Sequence, residues 1–100
     1  MRSIESSGKF KKSMKKVRDY RNFKKNKYDE VIDCLIHNTP LPAIYNDHKS
    51  VKHSDKELQG MRILHLAPNL CMIYKIDGNT VYLYNIGSHQ DTGLTENINQ

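Results

Sequence analysis

Nowhere does the sequence carry a long hydrophobic run: the longest, Leu70 to Tyr74, falls far short of the roughly 20 residues that a membrane-spanning helix needs. The opening residues, Met1 to Phe10, also lack the apolar stretch of a secretory signal, so a soluble protein that stays in the cytoplasm is expected. Cysteine is scarce. Cys34 and Cys71 lie in apolar surroundings without CxxC spacing, which favours two reduced, buried thiols over a disulfide framework or a zinc site. Tryptophan is absent, no internal repeat is visible, and 100 residues leave no room for a second domain of ordinary size. A multidomain enzyme is excluded.

Acidic residues are nearly missing from one stretch. Between Lys9 and Lys27 ten lysines and arginines face the single Asp19, a local excess of nine positive charges, whereas the rest of the chain carries a net charge of −4. Such a block concentrates positive potential and attracts polyanions, whose counterions are released on association. RNA, DNA and an acidic protein partner all fit; a solvated helix face that only keeps the protein soluble is the plainer use of such a run.

Periodicity orders the chain. Arg2 to Ser6, with one apolar residue, reads as a brief strand. Phe10, Met14 and Val17, continuing to Tyr20 or Arg21, mark one apolar helix face, with Ser7 as its N-cap. Tyr28, Val31, Ile32, Leu35 and Ile36 mark a second helix, ended near Asn38 by Pro40, with the polar Lys24 to Lys27 segment as the joint of an antiparallel pair. Residues 46 to 60 are polar and aperiodic, and read as a loop. Strands follow over Arg62 to Ala67, Leu70 to Ile76 and Thr80 to Ile86, separated by Pro68-Asn69 and Asp77-Gly78-Asn79. The expected fold is α+β: a short N-terminal strand, a two-helix hairpin, then an antiparallel three-stranded meander. The helices should cover one sheet face and leave the other for ligand. One domain over residues 1–92 and a polar, frayed tail over 93–100 complete the expectation.

Three histidines come from segments that an open sheet face could gather: His48 in the loop, His65 in the first meander strand and His89 after the third. Alternation sets Ile63 and His65 on one side of that strand, with Arg62, Leu64 and Leu66 on the other. Imidazole suits proton transfer near neutral pH, although a lone strand histidine is more often structural. Tyr74, Tyr82 and Tyr84 are candidates for base stacking or, more commonly, for core packing.

Leu41 to His48, Gly60 to Leu70, Ile73-Tyr74-Lys75 and Gly87-Ser88-His89 resemble the successive motifs of the RelE superfamily of bacterial toxins, within it the YafQ-type messenger-RNA interferases. The resemblance spans nearly the whole chain. It implies a compact RelE/ParE-like toxin that enters the ribosomal A site, cleaves the bound message and is silenced by a cognate antitoxin. It also implies that His48, His65 and His89 carry the cleavage, one as base on the ribose 2′-hydroxyl and another as acid toward the 5′-oxygen, without metal or other cofactor. Lys11, Lys12, Lys15, Lys16, Arg18, Lys24 and Lys25 would meet RNA or the ribosome. The chain departs from the pattern at four places: Asn69 replaces an acidic residue, Leu70 an aromatic one, Asn85 an arginine and Gly93 a terminal aromatic. Asn69, Asn85 and Arg62 are possible supports for the histidines. The free toxin is expected to be a monomer.

Other readings stay open. A toxin-fold module without cleavage, binding the ribosome or an antitoxin in operon autoregulation, fits the departures. A ParE-like toxin directed at DNA gyrase is more distant. His48, His53, Asp47 and Asp55 have the atoms of a metal site without a recognised spacing, and neither cysteine has an evident activating base as a nucleophile.

Overall fold

One hydroxyl group begins the helical layer and ties it to the sheet. Ser7 Oγ accepts from the Phe10 amide at 2.9 Å, capping α1 (Gly8–Val17), and donates to the Tyr84 carbonyl at 2.6 Å. In the computed structural model, which describes residues 1–49 and 61–88, α1 follows one strand and precedes α2 (Lys25–Ile36), a 3₁₀ turn (Ala43–Tyr45) and four further strands. These are β1 (Ser3–Ser6), β2 (His48–Lys49), β3 (Arg62–Ala67), β4 (Leu70–Asp77) and β5 (Thr80–Gly87).

Among the described residues the strands form one sheet in the order β1-β5-β4-β3-β2. The meander β3-β4-β5 is antiparallel, and β1 runs parallel to β5 with Ser3 beside Thr80. One asparagine and one glycine make the reversals. Asn69 (φ 61°) follows Pro68 between β3 and β4, and Gly78 (φ 60°) turns β4 into β5; both residue types tolerate the left-handed region. No helix among the described residues is long and apolar enough to cross a membrane.

The main core lies between helices and sheet. Phe10 and Val17 of α1 and Val31 and Leu35 of α2 meet Leu64, Met72 and Leu83 from the sheet. Val31 and Leu64 are fully buried, each contributing on the order of 2 kcal/mol. On the other sheet face Met61, Ile63, Cys71 and Ile73 form a second buried cluster with Tyr84 against it.

Four local expectations are corrected. The joint between the helices is Arg18–Lys24, because α1 ends at Val17 and α2 starts at Lys25; Lys24–Lys27 contains no helix breaker and forms the cap and first turn of α2. His48 and Lys49 are a strand, pairing with Ile63 and Arg62; two residues are too few to show a period. The second sheet face is not left open, since its residues on β3 and β4 are themselves apolar and buried. Both cysteines are free thiols, but only Cys71 is buried and Cys34 is half-exposed. The tail over 93–100 lies outside the described residues.

Candidate functional site

β2 exists because Arg62 holds the residue before it. Arg62 Nε donates to both Asp47 carboxylate oxygens at 3.1 and 3.2 Å, and Nη2 donates to Oδ2 at 2.7 Å. Tyr74, opposite Arg62 on β4, donates its hydroxyl to Asp47 Oδ1 at 2.6 Å. The bonds to Asp47 raise the Arg62 guanidinium above its usual range, and burial followed by the Asp47 bond pushes the Tyr74 phenol well upward. A second phenol anchors the same segment from below: buried Tyr45 donates to Glu30 of α2, and burial together with that bond pushes it up to about 12.

The segment fixed in this way carries His48 to the sheet edge. Its Nδ1 lies 2.8 Å from the Asn46 carbonyl, and Asn46 itself has φ 48°. His48 pairs with Ile63, so alternation sets it on the same face as His65. The two imidazoles stack, with centroids 5.8 Å apart and planes inclined by 19°. A β-bulge between His65 and Ala67 interrupts the β3-β4 register beside this pair, a device that redirects a side chain at a strand end. His48 is exposed and His65 half-buried, so a ligand can reach the pair at the rim of the sheet.

Cross-strand register carries the row further. His65 pairs with Cys71, and Cys71 with Gly87, where β5 ends. His89 follows two residues later and lies outside the described residues, as do His53 and Asp55.

The three possible supports have other work here. Arg62 turns from His65 toward Asp47, as alternation requires. Asn85 is buried at 5% exposure at a bulge in β5; its Oδ1 accepts from Ser13 Oγ of α1 at 3.0 Å and from the Ile86 amide at 2.9 Å. Asn69 occupies the left-handed position of the β3-β4 turn. Asp47, weighed in the sequence only as a metal ligand, is instead the acceptor of this cluster. Tyr74, weighed in the sequence for base stacking or core packing, is buried and is instead a donor to that carboxylate. Among the described residues no group of three or more His, Cys, Asp or Glu could hold a metal ion. Cys34 has its thiol raised by burial and by the nearby Glu30 and Asp33 carboxylates, the opposite of activation.

The basic residues stand at the surface. Lys11, Lys12, Lys15, Lys16, Arg18, Lys24 and Lys25 are all exposed; Lys25 pairs with Asp29 at 2.8 Å. Lys11, Lys15 and Arg18 line a shallow groove of about 250 Å³ floored by Phe10 and Met14.

Residues 2–93 match the family model described as the bacterial toxin of the type II toxin-antitoxin system, YafQ. The chain is 35% identical over 89 residues to the mRNA interferase toxin YafQ of Escherichia coli BL21-DE3, covering 88% of this chain and 91% of the relative. The E. coli DinJ-YafQ complex contains a similar chain, with TM-score 0.74 and 35% identity over 95% of this chain and 99% of that one. A metal-bound toxin from Helicobacter pylori is also similar, with TM-score 0.77 and 32% identity over 91% and 98% of the two chains.

Proposed function

The chain belongs to the YafQ family of type II toxins, and from that premise we propose that it is an endoribonuclease that cuts messenger RNA on the ribosome by acid-base chemistry. The observation that carries the reading is the His48-His65 pair, whose 5.8 Å spacing sets two imidazoles within reach of one linkage. One takes the proton of the ribose 2′-hydroxyl as that oxygen attacks phosphorus. The 5′-oxygen leaves with a proton from another imidazole, giving a 2′,3′-cyclic phosphate and a 5′-hydroxyl end. His89, just beyond the row that joins His65 to Gly87, is the third proposed participant. Each such group contributes about 10² to 10⁴ in rate.

Internal transesterification needs proton transfer and stabilisation of the extra negative charge on phosphorus, so this reading includes no cofactor. A cognate antitoxin is the protein partner, and the exposed lysines of α1, with Arg18, Lys24 and Lys25, meet ribosomal RNA in a cytoplasmic setting. The DinJ-YafQ complexes among the structural relatives support the first partner, and the excess of nine positive charges between Lys9 and Lys27 supports the second.

One observation favours a second reading, a toxin-fold module that binds without cutting. Asn85 stands where the YafQ pattern has arginine, and its amide oxygen is taken by Ser13 and Ile86. A neutral amide so held gives the pentacoordinate phosphorus much less stabilisation than a guanidinium. Purified protein added to translating ribosomes separates the readings: cut transcripts support the enzyme, and ribosome binding without cutting supports the module.

A further inference from the structure

Beyond Ile63, β3 has no strand partner on its β2 side among the described residues, and a cleft of about 650 Å³ opens there. That volume lies in the range of about 300–1,000 Å³ typical of ligand clefts. His65 forms one wall. Ile44, Leu66 and Pro68 make apolar walls, and Lys24 and Lys27 stand at the rim. Ile44 is 71% exposed, although an isoleucine gains by burial, and its side chain borders the cleft. The far end is closed by Asn22, whose amide nitrogen donates to the Pro68 carbonyl at 3.2 Å.

We infer that this cleft seats the nucleotide of the message that adjoins the cleaved linkage, with its base against Ile44 and Pro68 and its phosphate at Lys24 and Lys27. The inference rests on the ribonuclease reading and extends it from the linkage to a neighbouring base. Three features select this occupant. The described lining residues include two lysines and no carboxylate, so the rim is complementary to phosphate. The apolar walls accept the flat face of a base, which stacks without regard to its identity. Because His65 belongs both to the imidazole pair and to the cleft wall, a strand laid across the histidine pair has its next residue at the cleft mouth. The assigned residues lie on three separate segments, the start of α2, the 3₁₀ turn and the end of β3, so the cleft is a product of the tertiary fold.

A substitution cycle tests this on programmed ribosomes. Cleavage is measured for the native protein and Ile44→Ala on an intact message and on messages abasic at each position flanking the linkage. The native protein is expected to lose about tenfold in kcat/KM when the base in the cleft is missing. Ile44→Ala should lose about as much on the intact message and nothing further on the abasic one. In parallel, Lys27→Gln should lower the salt slope of message engagement by about 0.7 while binding message-free ribosomes as the native protein does. Additive losses, indifference of the native protein to both abasic messages, or an equal loss by Lys27→Gln without message would overturn the assignment. A native protein that cuts no message would instead remove the ribonuclease reading, and the assignment with it. Thermal melting of both variants checks that the fold is intact, as expected for an exposed isoleucine and a rim lysine.

Discussion

Arg62 grips Asp47, the residue immediately before His48, with Nη2 2.7 Å and Nε 3.1 Å from one carboxylate oxygen. The bond from Tyr74 adds a third donor to that carboxylate. His48 thus inherits its place from a charged cluster that faces away from the chemistry. Asp47→Ala leaves those donors without their acceptor and should cost about 1–3 kcal/mol in denaturant unfolding. Tyr74→Phe, which removes one donor only, should cost less. Equal stability of Asp47→Ala and the native protein would refute the clamp.

His48→Ala and His65→Ala are each expected to lower message cleavage by about 10² to 10⁴. If both serve one reaction, the double variant falls far less than the product of the two single losses. Quenched-flow cleavage on stalled ribosomes provides the rates, and multiplicative losses would separate the two rings functionally.

The phenols predict an alkaline limit. Tyr45 is pushed up to about 12 and Tyr74 is raised as well, from an ordinary value near 10. The unfolded chain therefore releases these protons first as pH rises. Their contribution is complete below about pH 10 and is lost progressively toward pH 12. Tyr45→Phe should be less stable at pH 8 and show a shallower decline from pH 10 to 12, as followed by urea midpoints.

Asn85→Ala separates structure from catalysis. The native amide accepts from Ser13 and Ile86 in a buried position. Its removal should cost about 1–2 kcal/mol in thermal or urea unfolding and leave kcat within about threefold at a temperature where the variant is folded. A fall in kcat of a hundredfold with stability unchanged would instead assign Asn85 to the reaction.

Neutralising Lys15 and Lys16 should reduce the salt dependence of ribosome binding. Each lost phosphate contact lowers the logarithmic slope by about 0.7 to 0.9. Binding measured between 50 and 200 mM salt tests this, and an unchanged slope would free that face of α1 from RNA. The salt range is chosen at roughly the scale where such contacts change affinity most visibly.

Long periodic elements were legible from residues alone. Phe10, Met14 and Val17 disclosed α1, and Asp77-Gly78-Asn79 disclosed the β4-β5 hairpin, because each pattern is local. His48 and His65 could be nominated from side-chain chemistry, but their stacking depends on a two-residue strand that no periodicity can announce. The role of Asp47 was hidden for a similar reason: its partners stand 15 and 27 positions away. Arg62 was correctly directed away from His65 by alternation, yet alternation does not say what it meets. The bulge that places Asn85 against Ser13 likewise breaks the period on which such reasoning depends.

The first strand of the chain pairs with the last, Ser3 beside Thr80 and Ser6 beside Leu83. Local helices can form early, but this closure must wait until synthesis has passed the final hairpin. A nascent copy therefore carries β1 as an unpaired edge until the residues of β5 have emerged.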